Sequence, residues 1–476
     1  AMDEAIFLQK QAPVALSAQG SGNMDLAEAS MWAEEVKEAM LFSWKNYRQK
    51  AWGHDEIMPI SGVAKDWAGM SLSMLDALST LHLMGLHDEA HEVAEWLEAQ
   101  QLPTKVRHGE QSFFELTIRG LGGLMGAWSL SGEPVFRDTA RRLGDAMLPA
   151  FSTPSGMPAN AVDVGTGKHP TPSNSSSVVL AEAGTLQLEF GALSAATGDS
   201  KYIAAADRSE NFVLAASGDT GLVPTHLNPQ GVFSGALSMG AEGDSYYEYL
   251  LKRWLQTGKK QDGLKDKWRQ AMKEMQARLL RKTRGGLAFL TKLNGGSDAH
   301  MMEHLTCFAG GMLMLGSRSL PPQEVDPSWE PLAAELTETC YQMYRRSATG
   351  LAPDFVQFDM EAPAGQDMKI PAGSANMLRP EVVESLFYMH YYTGDPKYRR
   401  MAYDIFSAFQ KHSKTAHGYA RVDDVREIPV RLADEQPTWW FAETLKYLYL
   451  TFSPRETLDL ERWVLNTEAH PMKIGS

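Results

Sequence analysis

The residues best equipped for chemistry in this sequence are acidic, and they recur at corresponding places along the chain. Phe114-Glu115-Leu116, Ala181-Glu182-Ala183, Asp244-Ser245-Tyr246, Pro380-Glu381 and Ala442-Glu443-Thr444 each put a carboxylate near the start of an apolar stretch. Leu75-Asp76-Ala77 adds a sixth, and His304-Leu305 takes the corresponding place in a seventh. Helix capping explains any one of them, since an acid in a first turn meets free N–H groups and the positive end of the helix dipole. It explains the set less well, because burying several acids together is costly unless a site uses them. Paired carboxylates are what splits a glycosidic bond: one acid protonates the leaving oxygen and one base activates water. Arg119 and Arg379 stand within a turn of two of these acids, where a guanidinium holds hydroxyls or keeps a neighbour ionised. Phe114, Trp439 and Trp440 offer flat faces for a sugar ring, although each taken singly is an ordinary core residue.

Something must bring these positions together, and an internal repeat supplies it. Ser155-Gly156-Met157-Pro158 is echoed by Thr220-Gly221-Leu222-Val223-Pro224, Gly285-Gly286-Leu287, Thr349-Gly350-Leu351-Ala352-Pro353 and, loosely, His417-Gly418-Tyr419. The central glycines are 65, 65, 64 and 68 residues apart. Between them recurs a second turn: Ser131-Gly132-Glu133-Pro134, Thr197-Gly198-Asp199-Ser200, Thr393-Gly394-Asp395-Pro396, and a weaker Thr257-Gly258-Lys259. Periods of this size mark stacked units that cannot bury their apolar faces singly. The intervening segments have helical periodicity; Leu332, Leu336, Thr339, Cys340, Met343 and Tyr344 form one stripe at spacings of three and four. Each unit is an αα-hairpin with one tight turn and one longer loop, and 476 residues hold about seven of them. The expectation is an all-α (α/α)7 barrel with short β-hairpins or loops at one end; an open solenoid is the alternative. In a closed ring the equivalent helix starts converge on one mouth, which makes an acidic pocket there.

Composition narrows the partners. The net charge is −14 with 22% charged residues, so no basic stripe exists to displace counterions from nucleic acid. The 43% hydrophobic content is ample for a large core. No apolar run reaches the roughly 18 residues that span a bilayer, and Leu305–Gly316 is expected to be a buried helix. Ala1–Asn23 has no basic start followed by an apolar stretch, so no signal peptide is visible and an anchor or signal is expected to lie outside this chain. Residues 1–24 are expected to be an N-terminal tail or linker remnant, and 25–476 a single domain. Two cysteines, Cys307 and Cys340, are compatible with a bridge or with two buried thiols. Asn174-Ser175-Ser176 is a lone glycosylation triplet and a weak secretory hint.

Six motifs together go further. Phe114-Glu115-Xaa-Thr117-Ile118-Arg119, Asp244-Ser245-Tyr246-Tyr247-Glu248-Tyr249-Leu250, His304-Leu305-Xaa-Cys307-Phe308, Leu378-Arg379-Pro380-Glu381-Xaa-Xaa-Glu384-Ser385, Ala442-Glu443-Thr444-Leu445-Lys446-Tyr447 and Asn466-Thr467-Glu468-Ala469-His470-Pro471 resemble, in order and spacing, those of glycoside hydrolase family 47. The resemblance runs from about Leu41 to Pro471. It implies a class I α-1,2-mannosidase that removes terminal mannose from high-mannose N-glycans with inversion, on an (α/α)7 barrel. Carried over by position, Glu115 resembles the general acid, acting through a bridging water, and Glu381 the general base. Asp244 resembles the third catalytic carboxylate. Thr467 resembles the ligand of a calcium ion, held through its carbonyl and hydroxyl, with Glu384, Glu443 and Glu468 orienting the ion's waters. Arg119, Glu182, His304, Arg379, Trp439, Glu443 and Glu468 are the substrate-binding candidates. Cys307 and Cys340 fall where the family has its disulfide, which implies an oxidising compartment: the lumen of the endoplasmic reticulum or Golgi, or secretion. A monomer is expected, with no membrane contact from this chain.

Five departures bear on selectivity. Glu242 stands where enzymes of the endoplasmic reticulum type carry arginine, and Asp354 replaces a glutamate. Trp439 replaces a phenylalanine that stacks on mannose, Pro437-Thr438 replaces Glu-Ser, and Ser79 replaces a second acid after Asp76. None removes a catalytic carboxylate, so the resemblance implies activity with altered branch preference. A lectin-like quality-control factor of the same fold, with little turnover, is the rival reading.

Overall fold

The computed structural model describes residues 19–103, 109–170 and 177–475. The first helix, Gln19–Lys50, runs through the boundary expected at residue 24; the rest of that tail, and Asn174, lie outside the described residues.

Two concentric layers of helix make the molecule. The inner layer is formed by Leu72–Leu83, the segment 113–131, the segment 180–197, Asp244–Gln256, the segment 304–319, Glu381–Thr393 and the segment 440–452. Each is followed by an outer helix: His87–Gln100, Pro134–Met147, Lys201–Ser217, Asp262–Arg278, Trp329–Arg345 and Pro396–His412, with Gln19–Lys50 backing the last inner segment. Every inner segment packs on the next, and the last packs on the first. Thr80 Oγ1 donates to the Phe441 carbonyl at 2.7 Å across that closing seam. The ring is therefore closed, seven hairpins around, and the solenoid alternative falls.

The two layers differ as their sequences demand. Outer helices bury one stripe: Phe136, Thr139, Ala140, Leu143, Gly144 and Met147 on Pro134–Met147, the spacing of an amphipathic helix. Inner helices are covered all round, as on Asp244–Gln256, where every residue from Ser245 to Gln256 is buried. The expected buried stretch Leu305–Gly316 falls in the inner segment 304–319.

Tight turns join inner to outer helices as the repeat implies. Gly132, Gly198 and Gly394 close their helices at φ of 72°, 71° and 69°, a left-handed conformation in which a Cβ is strained. The preceding hydroxyl completes the motif: Thr197 Oγ1 bonds Leu193 O at 2.7 Å and Thr393 Oγ1 bonds Met389 O at 2.6 Å. Outer helices return through longer loops that carry short antiparallel pairs, such as Gln111 opposite Val162 and Met302 opposite Val356. A C-terminal hairpin, Trp463–Leu465 against Pro471–Lys473, packs on the inner segments 122–131, 187–197 and 244–256 and so carries its turn, 466–470, into the ring.

Candidate active site

Carboxylates from five inner segments open into one cavity of about 440 Å³. Glu115, Glu182, Asp244, Glu381 and Glu443 line it, with Glu468 and Thr467 from the turn of the C-terminal hairpin. Arg119, Arg379 and Trp439 complete its wall. Local structure explains the convergence. Ser112 Oγ accepts from the Glu115 N–H at 3.3 Å and starts the helix that presents Glu115. That helix widens into a π-helical turn over Leu116–Leu121, and a second widened turn, Trp440–Thr444, holds Glu443. The hairpin turn is fixed by Asn466, whose Oδ1 accepts from the N–H groups of Glu468 at 3.0 Å and His470 at 2.7 Å.

Two expected members of the ring stand behind the cavity wall instead. Asp76, fully buried, accepts from Arg119 at 3.5 Å and contacts His470 at 3.2 Å. His304 meets Glu381 Oε2 through Nδ1 at 2.5 Å, and its Nε2 lies 3.0 Å from the Tyr344 hydroxyl. His304, read as a sugar contact, thus touches the carboxylate that faces the cavity and is not among the lining residues.

The charges are arranged unevenly. Arg119 donates to Glu115 at 2.5 Å, to Thr438 at 3.2 Å and to Glu468. Arg379 donates to Asp354 at 2.8 Å. The Trp439 ring packs against both guanidinium groups, 5.4 Å from Arg119 and 5.3 Å from Arg379, and its indole N–H donates to Met377 O at 3.0 Å. Burial works against the charge of Glu381, but the His304 contact and Arg379 hold its carboxyl below the ordinary range. Asp244 goes the other way: burial, then repulsion from Glu248, Glu381 and Glu303, pushes it up to about 7. Burial and the neighbouring carboxylates likewise push Glu384 to about 8 and Glu443 and Glu468 well above the usual value. Two carboxyls facing one cavity with pKa values driven apart are what acid–base catalysis requires.

Four of the sequence departures take part in this frame. Asp354 holds Arg379, Thr438 holds Arg119, and Trp439 packs against both arginines. Ser79 Oγ bridges the Lys446 ammonium at 2.8 Å and His470 Nδ1 at 2.9 Å. Glu242, at φ 75°, projects at the lip, 3.9 Å from His226. Cys307 and Cys340 are joined by a disulfide, Cα–Cα 5.9 Å.

Sequence reasoning missed Glu248, which lines the cavity and pairs with Lys252. It sits one turn after Asp244, so the i, i+4 spacing within Asp244-Ser245-Tyr246-Tyr247-Glu248 was the available signal. It also missed Glu189, a buried acid that accepts from Tyr249 at 2.5 Å and Asn466 at 2.8 Å beneath the Thr467 turn. Apolar flanks hide that acid, and nothing in the sequence alone marks it.

For a cation, the chemistry of the donors is one-sided. Among the described residues no three or more His, Cys, Asp or Glu side chains gather as a direct metal cage. Thr467 shares its cavity with the buried carboxyls Glu384, Glu443 and Glu468, which without a cation are raised toward their protonated forms. That fits an oxygen-seeking cation held at Thr467 and reached by the carboxylates through water.

Comparison with known proteins agrees with this geometry. The endoplasmic reticulum mannosyl-oligosaccharide 1,2-alpha-mannosidase of Rattus norvegicus is 40% identical over 93% of this chain, which spans 68% of that protein. The mannosyl-oligosaccharide 1,2-alpha-mannosidase MNS1 of Arabidopsis thaliana is 39% identical over 93% of this chain, which spans 78% of it. The solved structure of the alpha-1,2-mannosidase from Trichoderma reesei superposes with a TM-score of 0.86 at 29% identity, covering 94% of this chain and 99% of that one. The sequence pattern of glycosyl hydrolase family 47 matches residues 39–474, and the chain therefore belongs to that family of glycoside hydrolases.

Proposed function

We propose that the protein is an inverting, calcium-dependent exo-glycosidase that removes terminal α-1,2-linked mannose from high-mannose N-glycans. The observation that carries the reading is the single cavity shared by Glu115, Asp244, Glu381 and Thr467. Glu381, kept ionised by His304 and Arg379, takes a proton from the attacking water. On the opposite side of the scissile bond Glu115, held by Arg119, passes a proton to the leaving oxygen through a bridging water. Asp244, titrating near neutrality, completes that acid side. Trp439, braced by two arginines, forms part of the cavity wall against which the mannose ring lies. Inversion requires acid and base far enough apart to seat a water, about 6.5–9.5 Å. Thr467 would hold the calcium through its carbonyl and hydroxyl, with Glu384, Glu443 and Glu468 reaching its waters. A bound calcium supplies positive charge and coordination for sugar hydroxyls. The disulfide and the compartment in the name of the Rattus norvegicus relative favour the lumen of the secretory pathway.

Incubation with a nine-mannose glycan, followed by mass spectrometry, tests the reading. Successive losses of one hexose are expected with calcium, none with a chelator, and at most a trace from Glu381→Gln over the time in which the parent completes the reaction. Glycan binding without turnover, unaffected by Glu381→Gln, would mean a lectin and would contradict the hydrolase reading.

A further inference from the structure

Glu381 is tied to the outer layer of the barrel through one histidine. Glu381 Oε2 meets His304 Nδ1 at 2.5 Å, and His304 Nε2 meets the Tyr344 hydroxyl at 3.0 Å. Tyr344 belongs to the outer helix Trp329–Arg345, so this chain of contacts crosses from outer layer to cavity wall. Three further links hold the same segments in register. Cys307, one turn after His304, is bonded to Cys340, one turn before Tyr344. Ser385, one turn after Glu381, donates to Cys307 O at 2.5 Å and accepts from Gly311 N at 2.8 Å. His304 and Tyr344 are each 1% exposed, so bulk water does not compete for their polar atoms.

We propose that Tyr344 is a positioning residue for the base: its hydroxyl donates to His304 Nε2, which forces the ring proton onto Nδ1 and aims it at Glu381. The proposal rests on the reading of Glu381 as the base. A neutral imidazole has one donor and one acceptor nitrogen, and whichever nitrogen accepts fixes the other as the donor. Burial keeps the phenol protonated, so it needs an acceptor, and Nε2 is the one it meets. With Nδ1 donating, one oxygen of Glu381 is occupied and the second is left for the attacking water. If the hydroxyl is removed the tautomer is no longer set, and an Nδ1 lone pair then faces the carboxylate for part of the time. A residue from the outer helix, remote from substrate, thereby orients the group that does the chemistry.

Tyr344→Phe keeps the ring that packs edge-on against His304 and Phe409 and deletes only the hydroxyl. The expected result is a fall in kcat of about 5- to 10-fold, with KM changed less than about two-fold, the loss of one ordinary hydrogen bond expressed in the transition state. In a His304→Asn background the same change should add nothing, because Tyr344 acts through that ring. Parental kcat in Tyr344→Phe, or a loss that multiplies with that of His304→Asn, would overturn the proposal. Glu381→Gln measured alongside separates the two readings. Retained turnover there removes the base assignment and the positioning role with it, whereas an inactive Glu381→Gln beside a parental Tyr344→Phe removes only the role of Tyr344. Nitrogen-15 NMR of histidine-labelled unsubstituted protein needs no variant to fold: the Nδ1–H tautomer at His304 supports the relay, and either the Nε2–H tautomer or a doubly protonated ring, which has no acceptor for the Tyr344 hydroxyl, overturns it.

Discussion

At the scale of single residues, neighbouring carboxyls in the cavity are perturbed in opposite directions. Glu381 lies below the ordinary carboxylate range because His304 and Arg379 outweigh its burial, and Asp244 lies near 7 because burial and three carboxylates act together. Activity needs Glu381 ionised and the acid side protonated. Plots of kcat/KM against pH should therefore keep an acid limb below about 4.5, the unperturbed glutamate value, and lose activity as pH rises through about 7. Glu381→Gln should lower kcat by about 10²–10⁴-fold with little change in KM, the range for loss of a general base; steady-state kinetics at saturating calcium reads it. Glu115, Asp244, Glu381 and Glu443 were legible in the sequence because each sits at a helix start in a repeating frame. Asp76 and His304 share that frame yet face away from the cavity, since position in a repeat fixes which end of a helix a residue occupies but not which way its side chain turns. Glu248 escaped because it lies one turn deeper than the helix start.

At the scale of elements, glycine decides how closely the hairpins approach and where they turn. A Cβ on Gly123 would lie 2.3 Å from the Leu75 carbonyl oxygen of the neighbouring inner helix, backbone against backbone. Gly123→Ala should push two inner helices apart and cost about 1–3 kcal/mol or more. Gly132 has open space where its Cβ would go, but its φ is 72°. Gly132→Ala should cost only about 1–2 kcal/mol, the strain of a left-handed residue. Urea titration of both variants checks the order, Gly123→Ala the worse. The tight turns were readable in advance because serine or threonine followed by glycine is a helix stop with a mechanism. Short β-hairpins were expected at one end of the barrel, but their residues could not be placed, because pairs of two to four residues are too brief for alternation to register. Nor was the interruption at Thr185–Leu186 within the segment 180–197 readable, since no proline or glycine at those two positions announces it.

At the scale of the whole molecule, ring closure brings the acids together and leaves a concentration of buried charge to be balanced. Seven units could be counted from the repeat length, and the closed ring follows once the last inner segment meets the first. The proposed calcium could not be read from spacing, since Thr467 is by itself an ordinary loop threonine and the role proposed for it enters only through family resemblance. Carboxyls raised in the folded state bind protons that the unfolded chain has released. Without cation, the stability contributed by Glu384, one of the carboxyls assigned to the calcium's waters, is full below about pH 4.5 and is lost as pH rises through its folded value of about 8. Calcium should replace those protons. Chelation should thus lower Tm more at pH 7.5 than at pH 5, and differential scanning calorimetry at the two pH values measures it. The most direct test of the central claim is real-time proton NMR of a nine-mannose glycan with enzyme and calcium, watching the anomeric region as mannose first appears. Inversion yields β-mannose first, with the α-anomer growing in only by mutarotation; α-mannose first, or no free mannose at all, would contradict an inverting mannosidase.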